Sequence, residues 1–474
     1  MRRFIPFCLI IILSAYAALP GFNNETLEFG RFGKIHIYGD TTSPKEVVLF
    51  VSGDGGWNLG VIDMARSLSS LNALVAGIDI THYLAELERS TEPCSYPASD
   101  FEILSKFIQK HYNLSDYIIP ILVGYSSGAT LVYATLVQAP STTFKGAISL
   151  GFCPDLPLSK SFCPGNGLTF NKLPNGKGLS LLPSKNLESR WIVLQGDIDQ
   201  VCHASKTEIF ASETKGAEFI LLKKVGHGFS VQKNWMPQFK RAFQEISEKE
   251  TAMETKSELN QIKHLPIVQV PATQTGGNIF AVHITGDGGW GVTDKGIAQE
   301  LAENGIPVVG LNSLKYFWKP RTPEEVSKDV QQIITYYMSA WKKNKVILIG
   351  YSFGADVLPF IVNMFPEELK SEISLLVFLG PSKSAEFQFH LSDWLGGSSS
   401  GKSYPVHLEI EKLYGFKILC FYGEKDDDAI CKHLDDSRVK SIMLPGGHRI
   451  GGKFDSIVRE ILSETGLNET EESK

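Results

Sequence analysis

The chain has 474 residues, of which 43% are hydrophobic, 21% charged and 11% aromatic, a composition typical of folded proteins. This length is too great for one ordinary hydrophobic core and comfortable for two. The 43 glycines and 23 prolines are spread along the chain, which excludes collagen-like and disordered classes. The formal net charge of −6 leaves no domain-wide basic field, so no nucleic-acid partner is expected.

The N-terminus carries the pattern of a secretory signal peptide. Arg2 and Arg3 precede an apolar run, and Ala15 and Ala17 supply the small residues of a cleavage site. The apolar run is shorter than the ~20 residues that a membrane-spanning helix needs, which disfavours the alternative of an uncleaved anchor. We therefore predict that residues 1–17 are removed during export.

Six cysteines follow the predicted signal, and an even number in an exported chain indicates disulfides. The sequence does not determine the pairing. The most economical pairs are Cys153 with Cys163 and Cys420 with Cys431, because each pair lies within one segment of the chain. Neither a Cys-x-x-Cys nor a histidine-rich spacing indicates zinc, and no metal or other cofactor is expected.

The chain contains an internal repeat of four short motifs in the same order. They are a Gly-Asp-Gly-Gly-Trp string, a Gly-Tyr-Ser-x-Gly string, a Gly-x-x-Asp string and a Gly-His pair. The matched positions are 53–57 with 286–290, 124–128 with 350–354, 196–199 with 423–426, and 226–227 with 447–448. Because the offset between the copies is nearly constant, the repeat indicates a duplicated domain.

Each copy alternates short β-branched runs with helical stretches, which predicts a mainly parallel sheet covered by helices on both faces. In the first copy the predicted strands are 47–51, 73–78, 118–123, 146–150, 191–194 and 219–222. Between the copies, a charged stretch lacks a sustained apolar face. The predicted organisation is an N-terminal domain at 18–250, a linker at 251–275 and a C-terminal domain at 276–474.

Two serines lie in Gly-x-Ser-x-Gly motifs between a predicted strand and a predicted helix, the pattern of a nucleophile elbow. In both copies an acid at the end of a later strand and then a histidine follow, which is the order of an α/β-hydrolase. The candidate triads are Ser126, Asp199 and His227, and Ser352, Asp426 and His448. Alternative acids are Asp197 in the first copy and Asp427 and Asp428 in the second. The predicted fold is therefore two tandem α/β-hydrolase-like domains.

Serine attack on an ester creates a negative oxygen that needs N–H donors. The Gly-Asp-Gly-Gly-Trp loop follows the first strand of each copy, and its glycines allow the main chain to approach a ligand closely. We assign the oxyanion hole to this loop together with the residue after the nucleophile, with a simple tight turn as the alternative. The expected donors are Gly55, Gly56 and Ser127, and Gly288, Gly289 and Phe353.

After its second strand, the C-terminal copy carries three cations interleaved with three aromatic residues. The end of that strand is expected at the carboxyl edge of the sheet, and this residue pattern suits an anionic lipid surface. The alternative is a solvated loop whose aromatic rings pack on the core. The expected substrate-binding residues are Lys315, Trp318, Lys319 and Arg321, with Asp287 and Trp290 of the glycine-rich loop. On this basis the C-terminal copy is predicted to carry the main lipid chemistry.

The glycine-rich loop, the segment 313–324 and the segment 350–360 together resemble the VirJ/AcvB family of bacterial virulence proteins. The resemblance covers nearly the whole mature chain and is closer in the second half. It implies a periplasmic α/β-hydrolase that removes the aminoacyl group from aminoacyl-phosphatidylglycerol, chiefly lysyl-phosphatidylglycerol, and supports virulence or envelope homeostasis. Two alternatives remain open: a non-catalytic periplasmic factor of type IV secretion, and a general esterase or lipase.

Overall fold

The computed structural model describes residues 25–174, 176–254, 262–274, 277–389, 403–434, 437–448 and 454–466. The predicted signal peptide, residues 1–17, lies outside these ranges. Within them, no helix combines the length and the apolar character that crossing a bilayer requires.

The first half is built around one eight-stranded sheet. Its strands and those of a small insertion are β1 (Glu25–Phe29), β2 (Gly33–Tyr38), β3 (Glu46–Val51), β4 (Ala73–Ile78), β5 (Ile121–Tyr125), β6 (Gly146–Leu150), β7 (Asp155–Leu156), β8 (Phe170–Lys172), β9 (Leu179–Leu181), β10 (Arg190–Gly196) and β11 (Ala217–Leu222). Its helices are α1 (Leu59–Ser69), α2 (Ile80–Arg89), α3 (Pro97–His111), α4 (Ser127–Gln138), α5 (Ala204–Glu213) and α6 (Met236–Glu254). The sheet order is β1-β2-β4-β3-β5-β6-β10-β11, parallel from β4 onward, and β7, β8 and β9 form a separate small sheet.

The second half repeats this arrangement around one seven-stranded sheet, and two further short strands form a separate antiparallel pair. Its strands are β12 (Ile267–Val270), β13 (Ile279–Ile284), β14 (Val308–Leu311), β15 (Lys345–Tyr351), β16 (Ile373–Leu379), β17 (Ser384–Ala385), β18 (Tyr404–Pro405), β19 (Ile418–Gly423) and β20 (Lys440–Leu444). Its helices are α7 (Val292–Glu303), α8 (Ser313–Tyr316), α9 (Pro323–Ala340), α10 (Phe353–Asn363), α11 (Glu367–Lys370), α12 (Val406–Glu411) and α13 (Phe454–Thr465). The sheet order is β12-β14-β13-β15-β16-β19-β20, with one antiparallel edge strand followed by parallel strands.

The central strands are buried on both faces because helices cover both sides of each sheet. In β3, Val47 and Leu49 pack into one core cluster while Val48 and Phe50 pack into another. This alternation follows from the two-residue period of a strand. A run of consecutive apolar residues is therefore stable here, as expected for a parallel sheet.

The range predicted as a linker, 251–275, includes ordered structure of the second half. Ile267–Val270 forms β12 and pairs antiparallel with β14. The charged residues up to Glu254 belong to α6. This edge strand has only four residues, Ile-Val-Gln-Val, which are too few for a periodic pattern to distinguish it from a connection.

Three disulfides form: Cys94–Cys163, Cys153–Cys202 and Cys420–Cys431. The prediction for Cys420–Cys431 is confirmed, and the pairing of Cys153 with Cys163 is wrong. Backbone hydrogen bonding explains the difference, since Cys163 N donates to Ser95 O at 2.9 Å and holds Cys163 beside Cys94. Cys153 and Cys202 instead follow β6 and β10, which are neighbouring strands.

Candidate active site

Each candidate nucleophile lies at a sharp turn between a strand and a helix. Ser126 has φ 55° and ψ −126°, and Ser352 has φ 51° and ψ −118°, a region that non-glycine residues rarely adopt. The flanking glycines are required by close packing, because a Cβ on Gly124 would lie 2.2 Å from Gly128 O. The strained turn presents the serine hydroxyl above the carboxyl edge of the sheet, as in a nucleophile elbow.

The structure brings the three predicted residues of the first half together. Ser126 Oγ lies 2.9 Å from His227 Nε2, and His227 Nδ1 lies 2.8 Å from Asp199 Oδ2. Asp199 follows β10 and His227 follows β11, so both side chains reach the same edge of the sheet as the nucleophile. The alternative acid Asp197 accepts a hydrogen bond from Lys224 N at 2.7 Å instead.

The second half contains the same arrangement. Ser352 Oγ lies 2.8 Å from His448 Nε2, and His448 Nδ1 lies 2.8 Å from Asp426 Oδ2. The alternative acid Asp428 instead forms an ion pair with Lys383 at 3.3 Å. In both halves an imidazole is placed to accept the serine proton while a carboxylate holds its other nitrogen.

Asp199 is held more tightly than its counterpart in the second half. It accepts hydrogen bonds from the backbone amides of Val201 and Cys202, both at 2.9 Å, and from Gln195 Nε2 at 3.0 Å. Burial raises the pKa of Asp199, but its hydrogen bonds to His227 and to these amides outweigh burial and lower the pKa below its usual value. The carboxylate is therefore kept ionised beside the histidine.

The glycine-rich loop lies against the nucleophile in both halves, but two of the expected oxyanion donors are engaged elsewhere. A Cβ on Gly53 would lie 3.0 Å from Ser126 Cβ, so the loop passes beside the reactive hydroxyl. Gly56 N donates to Gly53 O at 2.9 Å, and Gly289 N donates to Gly286 O at 3.0 Å. The assignments of Gly56 and Gly289 as oxyanion donors are thus wrong, because the turn of the loop uses their amides.

The remaining expected donors are two exposed loop glycines and the two residues that directly follow the nucleophiles. Gly55 and Gly288 occupy exposed positions of the loop. Ser127 and Phe353 are the first residues of α4 and α10, where helix geometry leaves the amides without an intrahelical partner. Ser127 Oγ also donates to Asp54 Oδ1 at 2.5 Å and so joins the loop to the helix, a contact that Phe353 does not make.

Trp290 is a packing residue of the glycine-rich loop. Its side chain is buried and lies at an angle to the ring of His283, with 5.9 Å between the centroids. A Cβ on Gly310 would lie 2.0 Å from the Trp290 ring, so the ring fills the space that this glycine leaves. The expectation that Trp290 binds substrate is therefore wrong. Asp287, in the same loop, is half-buried.

The segment 315–321 was expected to face lipid, but its aromatic rings are buried. Tyr316, Phe317 and Trp318 are at most 3% exposed. Trp318 packs on Tyr117 of the first half, with 5.1 Å between ring centroids, and its Nε1 donates to Leu114 O at 3.0 Å. The alternative that the rings pack on the core is correct: Tyr316 and Phe317 lie in the core of the second half, and Trp318 is covered by contact between the two halves.

Of the cations in the same segment, Lys319 takes part in the contact between the halves, and Arg321 and Lys315 lie in the second half. Lys319 pairs with Asp116 of the first half at 3.4 Å. The Arg321 guanidinium lies 4.7 Å from the centroid of the Tyr316 ring, and Lys315 is a partly buried residue of α8. These positions argue against a binding surface that combines Lys315, Trp318, Lys319 and Arg321.

Sequence reasoning missed a buried acid near the second triad. Asp356 lies four residues after Ser352, is 8% exposed, and accepts a hydrogen bond from Ser382 N at 2.6 Å. Burial raises the pKa of Asp356 well above its usual value, and the nearby carboxylates of Asp287 and Asp428 raise it further. The first copy has Thr130 at this position, so comparing the two copies could have marked the difference.

No group of three or more histidine, cysteine or acidic side chains is placed to hold a metal ion within the described ranges. Two sheets of this strand order, each with a serine elbow, an acid and a histidine at its carboxyl edge, define the α/β-hydrolase fold. The chain belongs to the VirJ family, described as bacterial virulence protein (VirJ), which it matches over residues 45–150 and 278–468, more than half of its length. The family resemblance predicted from the sequence is thereby confirmed.

Solved structures with some similarity include two bacterial esterases. The esterase domain of a Rhodothermus marinus protein is 15% identical, with 47% of this chain and 97% of that chain covered and a TM-score of 0.33. A thermophilic esterase from Thermogutta terrifontis is 13% identical, with coverage of 50% and 95% and a TM-score of 0.34. No curated protein sequence matches the chain.

Proposed function

We propose that this chain is a periplasmic serine hydrolase that cleaves the aminoacyl ester of aminoacyl-phosphatidylglycerol, with lysyl-phosphatidylglycerol as its preferred substrate. Membership of the VirJ family supports this proposal. The observation that carries it is the second triad together with the buried carboxyl of Asp356. The proposed role is in virulence or envelope homeostasis.

The proposed reaction proceeds through an aminoacyl-enzyme. Ser352 Oγ attacks the ester carbonyl carbon while His448 Nε2 accepts the hydroxyl proton, and Asp426 stabilises the resulting imidazolium. The amides of Phe353 and Gly288 are the proposed donors to the tetrahedral oxyanion. Collapse breaks the ester bond, and His448 returns the proton to the departing glycerol oxygen of phosphatidylglycerol. Water then attacks the acyl-serine by the same route and releases the amino acid.

A cationic acyl group suits the charges around this site. Asp356 is buried and accepts a hydrogen bond from a neutral donor, the amide of Ser382, and Asp287 and Asp428 add negative charge nearby. Burying a carboxylate is costly unless a cation accompanies it. An ammonium group of a lysyl ester would supply that cation and favour the ionised form of Asp356.

The three disulfides support export to an oxidising compartment, since such bonds rarely persist in the cytosol. The predicted signal peptide supports the same location, and the membrane surface of the periplasm is where the proposed lipid would be met.

The direct test uses the mature chain with a fluorophosphonate probe, followed by mapping of the labelled peptide. We expect labelling at Ser352 and release of lysine from lysyl-phosphatidylglycerol vesicles, with a Ser352→Ala variant as the matched control. Labelling without lysine release would favour a general esterase. Neither labelling nor release, in folded protein, would overturn the proposal and favour an accessory role with type IV secretion components.

A further inference from the structure

A cavity of about 480 Å³ opens in the second half, outside the triad. Its lining is rich in basic side chains and includes one carboxylate and one aromatic ring. We call it the cationic pocket, and its relevant lining residues are Lys383, His407, His433, Arg438, Glu411 and Tyr414. Since Lys383 and Arg438 outnumber the one lining carboxylate, Glu411, the pocket is suited to an anion.

The arginine of the pocket is held in place by its neighbours. Arg438 Nη2 donates to Glu411 O at 2.8 Å, and the guanidinium carbon lies 4.4 Å from the centroid of the Tyr414 ring. A guanidinium that is already oriented loses little freedom when it binds an oxyanion. Its planar donor set also matches phosphate oxygens.

The lysine of the pocket can exchange its present carboxylate partner for another anion. Lys383 pairs with Asp428 at 3.3 Å, and both side chains are 62% exposed. An exposed ion pair of this kind contributes little free energy, because water and salt screen it. Lys383 can therefore leave Asp428 for a phosphate, which offers more acceptor oxygens.

A short stretch of chain connects the cationic pocket to the second triad. A Cβ on Gly380 would lie 3.4 Å from His448 Cε1, and three residues further on Lys383 lines the pocket. Three residues of extended chain span at most about 10 Å. In addition, Asp428 N donates to Asp426 Oδ1 at 3.2 Å, so the partner of Lys383 also touches the catalytic acid.

An exposed tyrosine lines the pocket, and an exposed leucine lies in the helix that contributes to its lining. Tyr414 is 74% exposed and Leu408, in the same segment, is 45% exposed. Tyrosine settles at the headgroup level of a bilayer, where one end of the ring is apolar and the hydroxyl is wet. These residues would place the pocket at a lipid surface rather than in open solvent.

We propose that the cationic pocket binds the phosphate of an anionic lipid headgroup whose ester is presented to Ser352. This inference rests on the proposed function and names the binding site for the phosphate of that substrate. In aminoacyl-phosphatidylglycerol a single glycerol unit separates the phosphate from the aminoacyl ester. A lipid anchored by its phosphate beside Lys383 would thus direct its ester along the 380–383 segment toward the triad.

The test compares a Lys383→Gln/Arg438→Gln double variant with wild-type protein in three assays. These are cosedimentation with phosphatidylcholine vesicles with and without phosphatidylglycerol, calorimetric titration with inorganic phosphate, and hydrolysis of a soluble lysyl ester that lacks phosphate. Lys412→Gln is the matched control, because Lys412 is 60% exposed beside α12 and does not line the pocket. Glu411→Gln removes the negative charge from the pocket lining and should therefore have the opposite effect on anion binding.

We expect the double variant to lose about tenfold in affinity for phosphatidylglycerol vesicles while hydrolysing the soluble ester normally. Lys412→Gln should match wild type, and Glu411→Gln should bind these vesicles more tightly. Unchanged vesicle affinity, or an equal loss on the soluble ester, would overturn the proposal. Loss of inorganic phosphate binding alone would indicate a free phosphate ligand and overturn the lipid assignment. Because vesicle binding needs no turnover, it tests the pocket even if wild-type protein fails to hydrolyse lysyl-phosphatidylglycerol.

Discussion

The two halves contain the same serine, histidine and aspartate geometry in different surroundings. The Ser–His and His–Asp distances agree within 0.1 Å between the two sites. His227 is 19% exposed, whereas His448 is 41% exposed. The two copies thus share their reacting groups, and the histidine of the second site is the more exposed.

The residues next to the nucleophile also differ between the halves. Ser127 and Thr130 of the first half correspond to Phe353 and Asp356 of the second. Phe353 packs against Phe317 at 4.8 Å, and Asp356 adds a buried carboxyl. Because the triads themselves are equivalent, the comparison teaches that a difference in substrate preference between the sites would have to come from these neighbouring residues.

The largest expected effect is on lipid hydrolysis, and it should differ between variants of the two serines. Ser352→Ala should lower lysyl-phosphatidylglycerol hydrolysis by at least about a thousandfold, because the attacking oxygen is lost. Ser126→Ala should retain most of that activity if the second site carries the lipid reaction. Lysine release from vesicles measures both, with circular dichroism as the control for folding. Equal losses in the two variants would remove the distinction between the sites.

The contact between the halves should matter for stability rather than for either triad. Trp318→Ala is expected to lower the free energy of unfolding by about 3 kcal/mol, since it empties a buried position. Lys319→Gln, at an exposed ion pair, should change it by less than about 0.5 kcal/mol. Denaturant unfolding measures both variants. A Trp318→Ala protein of wild-type stability would contradict the packing of this ring between the halves.

The disulfides offer a third way to distinguish the halves. Replacing Cys153 and Cys202 with Ser should lower the free energy of unfolding by about 4 kcal/mol in the chain-entropy account, because the bond closes a loop of 49 residues. It should also slow probe labelling of Ser126 but not of Ser352, because the amide of Cys202 holds Asp199. Non-reducing mass spectrometry should first find all three pairs in protein from the envelope. Free thiols at these six positions, or equal slowing at both serines, would contradict the assignment.

The smallest expected effect concerns acyl preference and pH. Asp356→Thr, which introduces the residue of the first copy, should lower the preference for a lysyl over an uncharged acyl ester about tenfold. The ratio of the two kcat/KM values measures this. An unchanged ratio would exclude Asp356 from recognising the ammonium group.

Asp356 should also make the stability of the folded protein depend on pH. Burial raises the pKa of Asp356, so the folded state holds its proton more tightly than the unfolded state. The resulting stabilisation is present in acid and is lost as pH rises. Asp356→Asn should therefore raise Tm at pH 8 by about 3 °C and have less effect at pH 4. A similar change in Tm at both pH values would contradict a buried, ionisable Asp356.

Local patterns in the sequence were sufficient for several parts of this structure. The apolar runs at 73–78 and 146–150 form strands with the predicted bounds, because a doubly covered strand needs only consecutive apolar residues. The two serine elbows and the order of acid and histidine also depend on short motifs. The repeat then predicted the second domain from the first.

Contacts between distant residues were decided only by the tertiary structure. Trp318 lies against Tyr117, about two hundred residues away, so a pattern suited to a lipid surface became a buried contact. Cys163 pairs with Cys94 because backbone hydrogen bonds bring their segments together.

The sequence by itself determined the duplicated α/β architecture and the reacting residues, since these follow from local periodicity and short motifs. The tertiary structure decided which charges surround each triad. Asp356 joins Asp287 and Asp428, and Lys383 joins Arg438 at the cationic pocket, although these residues are scattered along the chain. Burial and charge proximity depend on how distant segments pack, and no local pattern records that packing.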